Sequence, residues 1–383
     1  MQGLVLAGGG ARGAYEAGVL RYVFNDLPRE TGARFDPGVI CGTSIGALNG
    51  AWVAANGAKN AAGLSNLWNT LTPDQVYRLD ARDLVSLAGK FLPRMGSAEN
   101  VALFDSAPLW GLLDRALDWG AIHRRIDRGD LVAFVTAATD IASGGTVLFT
   151  DGRRAPRDRV GTRVVRTRID KRHCLASGAI PFVFPAVDVD GRWYADGGLR
   201  QNTPLAPAIH LGVDRVLIVS VKQDRGLEHK LPTSVVPTPV FLAGKAMNAM
   251  LLDPVEDDLR QLEGINRLLA FGAANWPDYV ERARRANQGW RVVQSVFVRP
   301  TADLGEVALD VYRRYSHELP WATRMLMGWI AGGDASDEAD VLSYLYFHHR
   351  FAAAIEQLGW EDGRAARDRL VEVFQAQGPA QIG

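Results

Sequence analysis

Two mainly apolar runs near the start of the chain alternate with two helical patterns. The runs cover residues 3–7 and 37–41, and each leads through a glycine-rich turn into a helical pattern, over residues 14–27 and 45–56. Apolar runs of this length are typical of strands buried on both faces. Their alternation with helices is typical of a parallel sheet covered by helices. The start of the chain therefore predicts an α/β fold.

The pattern changes twice further along the chain. Leucines at helical spacing occupy residues 60–125. Strand-like runs over residues 131–139, 146–150 and 215–221 follow, together with a short helix at 171–179 and a hairpin at 187–194 whose turn is Asp190-Gly191. Beyond about residue 235 the pattern is mainly helical, with one further strand at 292–298. We expect an α/β domain over residues 1–225 and a mainly helical C-terminal region over residues 226–383 that packs on it, with the proline-rich stretch 231–239 as a hinge.

Composition excludes several classes of protein. The chain has 383 residues, with 43 Lys and Arg against 43 Asp and Glu, so its formal net charge is zero. A nucleic-acid partner would normally require a basic excess, and none is expected. The two cysteines, Cys41 and Cys174, do not have the spacing of a metal site or a disulfide framework. No signal peptide or apolar stretch of about 18 residues is present, which favours a cytoplasmic location and leaves non-Sec export and peripheral membrane contact open.

The second glycine-rich turn, residues 42–46, has the pattern G-x-S-x-G and is here called the serine turn. It lies between an apolar strand and an apolar helix, where such a turn lifts a serine hydroxyl out of a sharp corner. Gly42 and Gly46 let the backbone bend and the helix pack closely on the strand. Ser44 is therefore a candidate nucleophile, and an N-cap serine is the structural alternative.

The first glycine-rich turn, residues 8–13, is here called the glycine loop. Its backbone N–H groups lie at the start of a helix, where negative charge is favoured. Five residues are candidates for forming or shaping an oxyanion hole: Gly8, Gly9, Gly10, Arg12 and Gly13. Gly9 and Gly10 would donate the N–H groups. Arg12 would brace the loop through carbonyl groups or a carboxylate, or would remain solvated.

The glycine loop also matches the dinucleotide-binding pattern G-x-G-x-x-G. That pattern expects an acidic residue at the end of the second strand, where it would bind a ribose hydroxyl. Here the second strand ends without an acidic residue, and the candidate nucleophile Ser44 stands in its place. A nucleotide-binding signalling module is therefore retained only as an alternative.

Ser44 requires a base, and the seven histidines all lie in charged or helical stretches without the signature of a catalytic loop. An Asp-Gly-Gly sequence, Asp196, Gly197 and Gly198, follows an apolar strand instead. A carboxylate at a strand end can act as a general base on a serine. An ordinary Asp-Gly turn is the structural alternative. A Ser-His-Asp triad esterase that recruits His317, His348 or His349 is the alternative mechanism.

These three motifs together resemble those of patatin-like phospholipases. The stretch 177–185 resembles the proline-containing segment that precedes the family's aspartate, and Asn202-Thr203-Pro204 resembles the segment that follows it. The resemblance covers about residues 1–222, with Ala7 in place of a frequent acidic residue. It implies a three-layer α/β sandwich with a mainly parallel central sheet. It also implies a Ser44–Asp196 dyad, an oxyanion hole at Gly9 and Gly10, no metal or other cofactor, and a phospholipid or other acyl-lipid substrate cleaved through an acyl-enzyme.

An acyl-lipid substrate has to leave a bilayer or micelle, so we expect an apolar access surface. Residues 235–252 and 320–330 are the strongest apolar stretches of the C-terminal region, and the second carries Trp321, Met325, Met327 and Trp329. Tryptophan and methionine suit interfacial or irregular apolar surfaces. The alternative is that both stretches are buried helices. A basic loop at residues 153–159 is a weaker candidate for contact with anionic headgroups.

Overall fold

A mostly parallel β-sheet forms the centre of the fold. The computed structural model describes residues 1–79, 102–223, 255–276, 278–286, 291–331 and 336–375. Within these residues the sheet has nine strands: β1 (Gln2–Leu6), β2 (Val39–Thr43), β3 (Ala133–Asp140), β4 (Thr146–Gly152), β5 (Thr162–Arg166), β6 (Val187–Val189), β7 (Arg192–Asp196), β8 (Arg215–Val219) and β9 (Gln294–Val298). The main spatial order is β5-β4-β3-β2-β1-β8-β9. Strands β3, β2, β1, β8 and β9 are parallel, while β4 and β7 are antiparallel to β3.

Helices cover both faces of this sheet. Side chains alternate between the faces along each strand, so Leu4 and Leu6 of β1 belong to one apolar core whereas Val5 belongs to the other. The larger core lies under the helices that carry the two glycine-rich turns. The smaller core includes Leu205 and Ala208 of a helix on the opposite face. The predicted α/β fold with a mainly parallel central sheet is confirmed.

The helices have the following bounds among the described residues: α1 (Gly13–Arg21), α2 (Leu27–Thr31), α3 (Ile45–Asn56), α4 (Ala61–Asn69), α5 (Pro73–Val76), α6 (Ala107–Ala116), α7 (Trp119–Arg128), α8 (Lys171–Ser177), α9 (Leu205–Leu211), α10 (Val255–Asn275), α11 (Tyr279–Ala286), α12 (Leu304–Tyr315), α13 (Trp321–Ala331), α14 (Ser336–Leu345), α15 (His349–Ala365) and α16 (Arg367–Gln375). The C-terminal region is mainly helical, as the pattern predicts, and strand β9 is its contribution to the sheet.

The C-terminal helix α15 packs directly on α1, the helix that follows the glycine loop. The two helices approach so closely that a Cβ atom on Gly18 would overlap the carbonyl oxygen of Glu356, and one on Gly359 would overlap that of Tyr15. Because glycine has no side chain, the two backbones can come into direct contact at these two positions. The start of the chain and its C-terminal region therefore form one continuous packed unit here.

Two elements differ from the pattern in the sequence. The helix expected at 14–27 is interrupted by a wider, π-helical turn at Tyr22–Asp26 before α2. Pro28, which lacks a backbone N–H, lies in the first turn of α2 and accounts for the interruption. Strand β5 is absent from the prediction because its sequence, Thr-Arg-Val-Val-Arg, has neither a long apolar run nor a regular apolar–polar alternation, and it lies half-exposed at the edge of the sheet. The stretches 231–239 and 235–252 lie outside the described residues.

Candidate active site

The serine turn places Ser44 on a strained corner between β2 and α3. Ser44 has φ 53° and ψ −123°, a backbone conformation that residues other than glycine rarely adopt. The turn is tightly packed, since a Cβ atom on Gly42 would overlap the carbonyl oxygen of Gly46 and one on Gly46 would overlap that of Leu6. Ser44 is itself only 4% exposed. The two glycines therefore lie where close backbone packing requires them.

The hydroxyl of Ser44 donates a hydrogen bond of 2.7 Å to Oδ2 of Asp196. Strand β3 explains why residues so far apart in sequence meet. Thr43, the last residue of β2, pairs with Ala137 of β3, and Asp196, the last residue of β7, pairs with the next β3 residue, Ala138. Strand β2 is parallel to β3 and β7 is antiparallel to it, so their C-terminal ends converge on the same side of β3.

The Asp196 carboxylate is fully buried and held on its other side. The N–H of Gly198 donates to Oδ1 at 2.6 Å, and the Thr139 hydroxyl donates to the Asp196 carbonyl oxygen at 2.9 Å. Burial raises the pKa of Asp196 from 3.8 to about 6, against the opposing effect of the hydrogen bonds from Gly198 and Ser44. A base with this pKa is ionised at neutral pH and still accepts a proton readily.

A second serine, Ser177, supports the serine turn. The backbone N–H of Ser44 donates to the Ser177 hydroxyl at 2.8 Å, and that hydroxyl donates to the carbonyl oxygen of Ala137 on β3. Ser177 therefore links the strained residue to the strand that also positions Asp196. Its role was not predicted, although Ser177 begins the proline-containing stretch 177–185 that is part of the family resemblance.

The glycine loop lies directly against Ser44, because a Cβ atom on Gly8 would stand 3.1 Å from the Cβ atom of Ser44. Asn202 holds this end of the loop: its carbonyl oxygen accepts from the N–H of Gly8, and its side-chain amide donates to the Gly8 carbonyl oxygen, both at 3.2 Å. Gly10 has φ +57°, which favours glycine. The N–H groups of Gly9 and Gly10 make no backbone–backbone hydrogen bond to another described residue.

Arg12 connects the glycine loop to the C-terminal region. Its guanidinium donates to Oδ1 of Asp340 at 2.6 Å and to the Ser343 hydroxyl at 2.8 Å, and it stacks 4.0 Å from the ring centre of Tyr344. Arg12 is 4% exposed, so this is a buried ion pair and not a solvated arginine. The carbonyl oxygen of Tyr344 also occupies the space into which a Gly10 side chain would point. Helix α14 thus supports the loop from outside.

A buried network of hydrogen bonds joins α1 to α3. The Asn49 amide donates to the Gly13 carbonyl oxygen at 2.9 Å and to Glu16 at 2.8 Å, while the Trp68 indole donates to Asn49. Burial raises the pKa of Glu16 well above its ordinary value, against a smaller opposing effect of the bond from Asn49. These hydrogen bonds tie together the two helices that follow the glycine loop and the serine turn.

An apolar cavity begins at Ser44 and Gly10. It measures about 850 Å³, its open mouth included, and is lined by side chains of α3, α4, α5, α6 and α8. The walls are mainly leucine, isoleucine, tryptophan and phenylalanine, and Phe347, just after α14, is also part of them. Volumes of this order are typical of sites for small molecules. The cavity suits a long apolar group, and it does not offer the polar surroundings that a nucleotide phosphate requires.

Two of the three C-terminal histidines, His348 and His349, make other contacts. His348 accepts from the backbone N–H of Arg350 through Nδ1, and both His348 and His349 lie within 3.6 Å of Glu318. Among the described residues, Glu318, His348 and His349 form the one group with metal-ligand proximity. No described histidine bonds to Ser44 or Asp196.

One of the two stretches expected to form the apolar access surface lies within the described residues, and the other does not. Residues 235–252 lie outside the described residues. Residues 320–330 correspond to α13, in which Trp321, Met325 and Trp329 are exposed whereas Leu326 and Met327 are buried. No helix in the described part of the chain has the length and apolar character that a membrane-spanning segment needs.

Fold and site together define an α/β protein with a serine at a strand–helix corner. The model of the patatin-like phospholipase family matches residues 4–209, more than half of the chain. The chain therefore belongs to the patatin-like phospholipase family, and the resemblance inferred from the sequence motifs is confirmed. The matched region includes both turns, Asp196 and Asn202, and it ends before the residues that bind Arg12.

Two further comparisons were made. No curated protein sequence matches this chain. Among solved structures, VipD from Legionella pneumophila is similar, with 13% sequence identity and a TM-score of 0.32 over 78% of this chain and 61% of the VipD chain. The aligned part of this chain thus spans less than two thirds of VipD, and a similarity of this size carries no conclusion about function.

Proposed function

We propose that this protein is a lipid acyl hydrolase that cleaves fatty-acyl esters of the phospholipase A or lysophospholipase type. Family membership supports lipid acyl hydrolase activity in general. The observation that carries the finer proposal is the 2.7 Å hydrogen bond from Ser44 to the buried Asp196, beside a cavity with apolar walls. We assign the chemistry to residues 1–225, with residues 226–383 as the region that supports them.

In the first half-reaction, the Ser44 oxygen attacks the ester carbonyl carbon while its proton passes to Asp196. The negative charge then develops on the former carbonyl oxygen. The N–H groups of Gly9 and Gly10 are the proposed donors to that oxygen, and each such donor typically contributes about 3 kcal/mol to transition-state stabilisation. When the intermediate collapses, the ester C–O bond breaks. The leaving alkoxide takes the proton from Asp196, and the fatty acyl group remains on Ser44.

In the second half-reaction, Asp196 accepts a proton from water, and the oxygen of that water attacks the acyl carbon. Collapse of this second intermediate breaks the bond to the Ser44 oxygen, which recovers the proton from Asp196. The free fatty acid leaves and the dyad is restored. A single carboxylate with a pKa of about 6 can serve both steps, because it exchanges protons readily near neutral pH.

The apolar cavity is the proposed site of the acyl chain. Burial of each methylene group contributes about 0.8 kcal/mol. A long chain therefore supplies much of the binding energy, and the polar headgroup can remain near the mouth. This arrangement favours substrates with long acyl chains over acetate esters.

Replacement of the nucleophile tests the proposal. Ser44→Ala should reduce hydrolysis of a long-chain p-nitrophenyl ester by roughly a thousandfold or more, because the covalent step is lost. Mass spectrometry of fatty acids released from a mixed phospholipid extract should show the same loss. His348→Gln and His349→Gln serve as controls that should retain activity. Loss of turnover in either histidine variant as well as in Ser44→Ala would instead favour the triad mechanism.

The acyl-chain assignment has its own test. Ala116 lines the cavity, whereas its neighbour Arg115 is exposed and does not. Ala116→Phe should fill part of the cavity and shift the preferred ester toward shorter chains, while Arg115→Phe, which adds the same ring outside, should not. The ratio of kcat/KM for a 16-carbon and a 4-carbon ester measures the effect, which we expect to be about tenfold. An unchanged ratio in Ala116→Phe would place the acyl chain elsewhere.

A further inference from the structure

Helix α13 exposes an apolar face that the proposed chemistry does not use. Trp321, Met325 and Trp329 follow one another at intervals of four residues, so they lie along one face of the helix. They are 55%, 53% and 64% exposed. The opposite face, which includes Leu326, Met327 and Ile330, is buried. A helix that is apolar on both faces is ordinarily buried on both faces, so the exposed one indicates a surface for a partner.

The exposed face of α13 carries a positive charge. Arg324 is the one charged residue of α13, and it is exposed beside Met325. In residues 313–329 there are three arginines and one acidic residue, Glu318. Glu318 already faces Arg350 and the two neighbouring histidines. Arg314 pairs with Asp310 at 2.9 Å, so the charge on the exposed face itself is that of Arg324, and it favours an anionic partner surface.

The residue types indicate which kind of surface this is. Tryptophan combines a large apolar ring with one polar N–H and is enriched where proteins meet the boundary between lipid chains and headgroups. An arginine beside it keeps its charge among the headgroups while its stem lies on apolar surface. A helix with apolar and cationic residues exposed together is typical of one that lies in the plane of a bilayer interface.

The position of α13 connects this face to the candidate active site. Helix α13 packs against α14, whose Asp340 and Ser343 hold Arg12 of the glycine loop. Phe347, two residues beyond α14, lines the apolar cavity. Only one helix therefore separates the exposed face from the loop and from the cavity wall. The packing of α13 on α14 therefore connects the exposed face to both the glycine loop and the cavity wall.

We propose that the exposed face of α13, formed by Trp321, Arg324, Met325 and Trp329, docks the protein on lipid bilayers that carry anionic headgroups. The inference rests on the proposed function, because docking would bring the protein to its proposed lipid substrate. The binding itself does not require turnover. The ring of each tryptophan enters the interface, and the Arg324 guanidinium strengthens the attachment to an anionic membrane.

Vesicle binding by the full chain tests this inference. The Ser44→Ala protein is used so that lipid is not consumed, with vesicles of phosphatidylcholine alone or of phosphatidylcholine with phosphatidylglycerol. We expect sedimentation with the anionic vesicles, and a loss of about tenfold or more in partitioning when Trp321→Ala and Trp329→Ala are combined. Trp193→Ala, which removes a tryptophan of similar exposure from β7, is the matched control and should bind as before. Arg324→Ala should reduce the preference for anionic over neutral vesicles.

Activity measurements separate the two proposals. With Ser44 restored, the double tryptophan variant should lose hydrolysis of vesicle lipid but keep hydrolysis of a soluble short-chain ester. Equal vesicle binding by the double variant and its parent would overturn the docking inference and leave the hydrolase proposal intact. A dimer in sedimentation velocity that the double variant abolishes, without vesicle binding by the parent, would assign the face to a second copy instead. Vesicle binding without ester hydrolysis by the Ser44 protein would overturn only the proposed function.

Discussion

The serine turn and the glycine loop face each other across the candidate active site, yet different parts of the chain hold them. The serine turn is supported entirely from within the region that matches the family: Ser177 binds the Ser44 amide, and β3 sets the position of Asp196. The glycine loop is held on one side by Asn202 of the same region and on the other by Asp340 and Ser343 of α14. Residues more than 300 positions away thus complete the loop.

The two turns therefore depend on different parts of the molecule. The proposed nucleophile, Ser44, and its proposed base, Asp196, are positioned by strand register within one sheet, so their geometry follows from the α/β fold itself. The proposed oxyanion donors depend in addition on a buried ion pair with the C-terminal region. We therefore expect substitutions near the serine turn to remove the chemistry. Substitutions in α14 should leave the dyad assembled and weaken transition-state stabilisation.

The largest expected effect is on the base. Asp196→Asn keeps the shape of the side chain but removes its ability to accept the Ser44 proton, so kcat should fall by roughly ten-thousandfold. In the parent protein, kcat/KM should decline below about pH 6, because Asp196 is then protonated. Steady-state kinetics from pH 4.5 to 8.5 measures both effects. Retained activity in the asparagine variant, or an acid limb well away from pH 6, would refute the dyad.

The same carboxylate should make stability depend on pH. Because burial raises the pKa of Asp196 from 3.8 to about 6, its contribution to folding is complete below the lower value and is lost as pH rises through the upper one. Between pH 4 and pH 7 the parent should lose up to about 3 kcal/mol relative to Asp196→Asn, which does not titrate. Urea unfolding of both proteins at several pH values measures this difference. A difference that does not vary with pH would show that the carboxylate carries no burial penalty.

A smaller effect is expected from the C-terminal support of the glycine loop. Asp340→Asn removes the charge that holds Arg12, and we expect kcat to fall about tenfold as the N–H groups of Gly9 and Gly10 lose their alignment. The acid limb of the pH profile should stay near pH 6, because Asp196 is untouched. Asp368→Asn removes an exposed partner of Arg367 and is the matched control, with no expected change. A shift of the acid limb in Asp340→Asn would contradict a role confined to the loop.

Sequence reasoning located the residues that short motifs carry. Ser44 and the glycine loop lie at strand–helix junctions that apolar runs and glycine spacing reveal, and Asp196 ends a strand followed by two glycines. The supporting residues were not predictable in this way. Ser177 binds a backbone amide 133 positions away, and Asp340 binds a guanidinium 328 positions away. Such contacts depend on how whole elements pack, and nothing in the neighbouring residues signals them.

The shared use of β3 by β2 and β7 has a consequence for how this fold tolerates change. Asp196 reaches Ser44 only because it pairs with Ala138, one position beyond the partner of Thr43. Slippage of β7 by a single residue would turn the carboxylate toward the opposite side of the sheet. The hairpin tip at Asp190 and Gly191 can therefore lengthen during evolution or engineering, whereas an insertion or deletion between that tip and Asp196 would separate the carboxylate from Ser44.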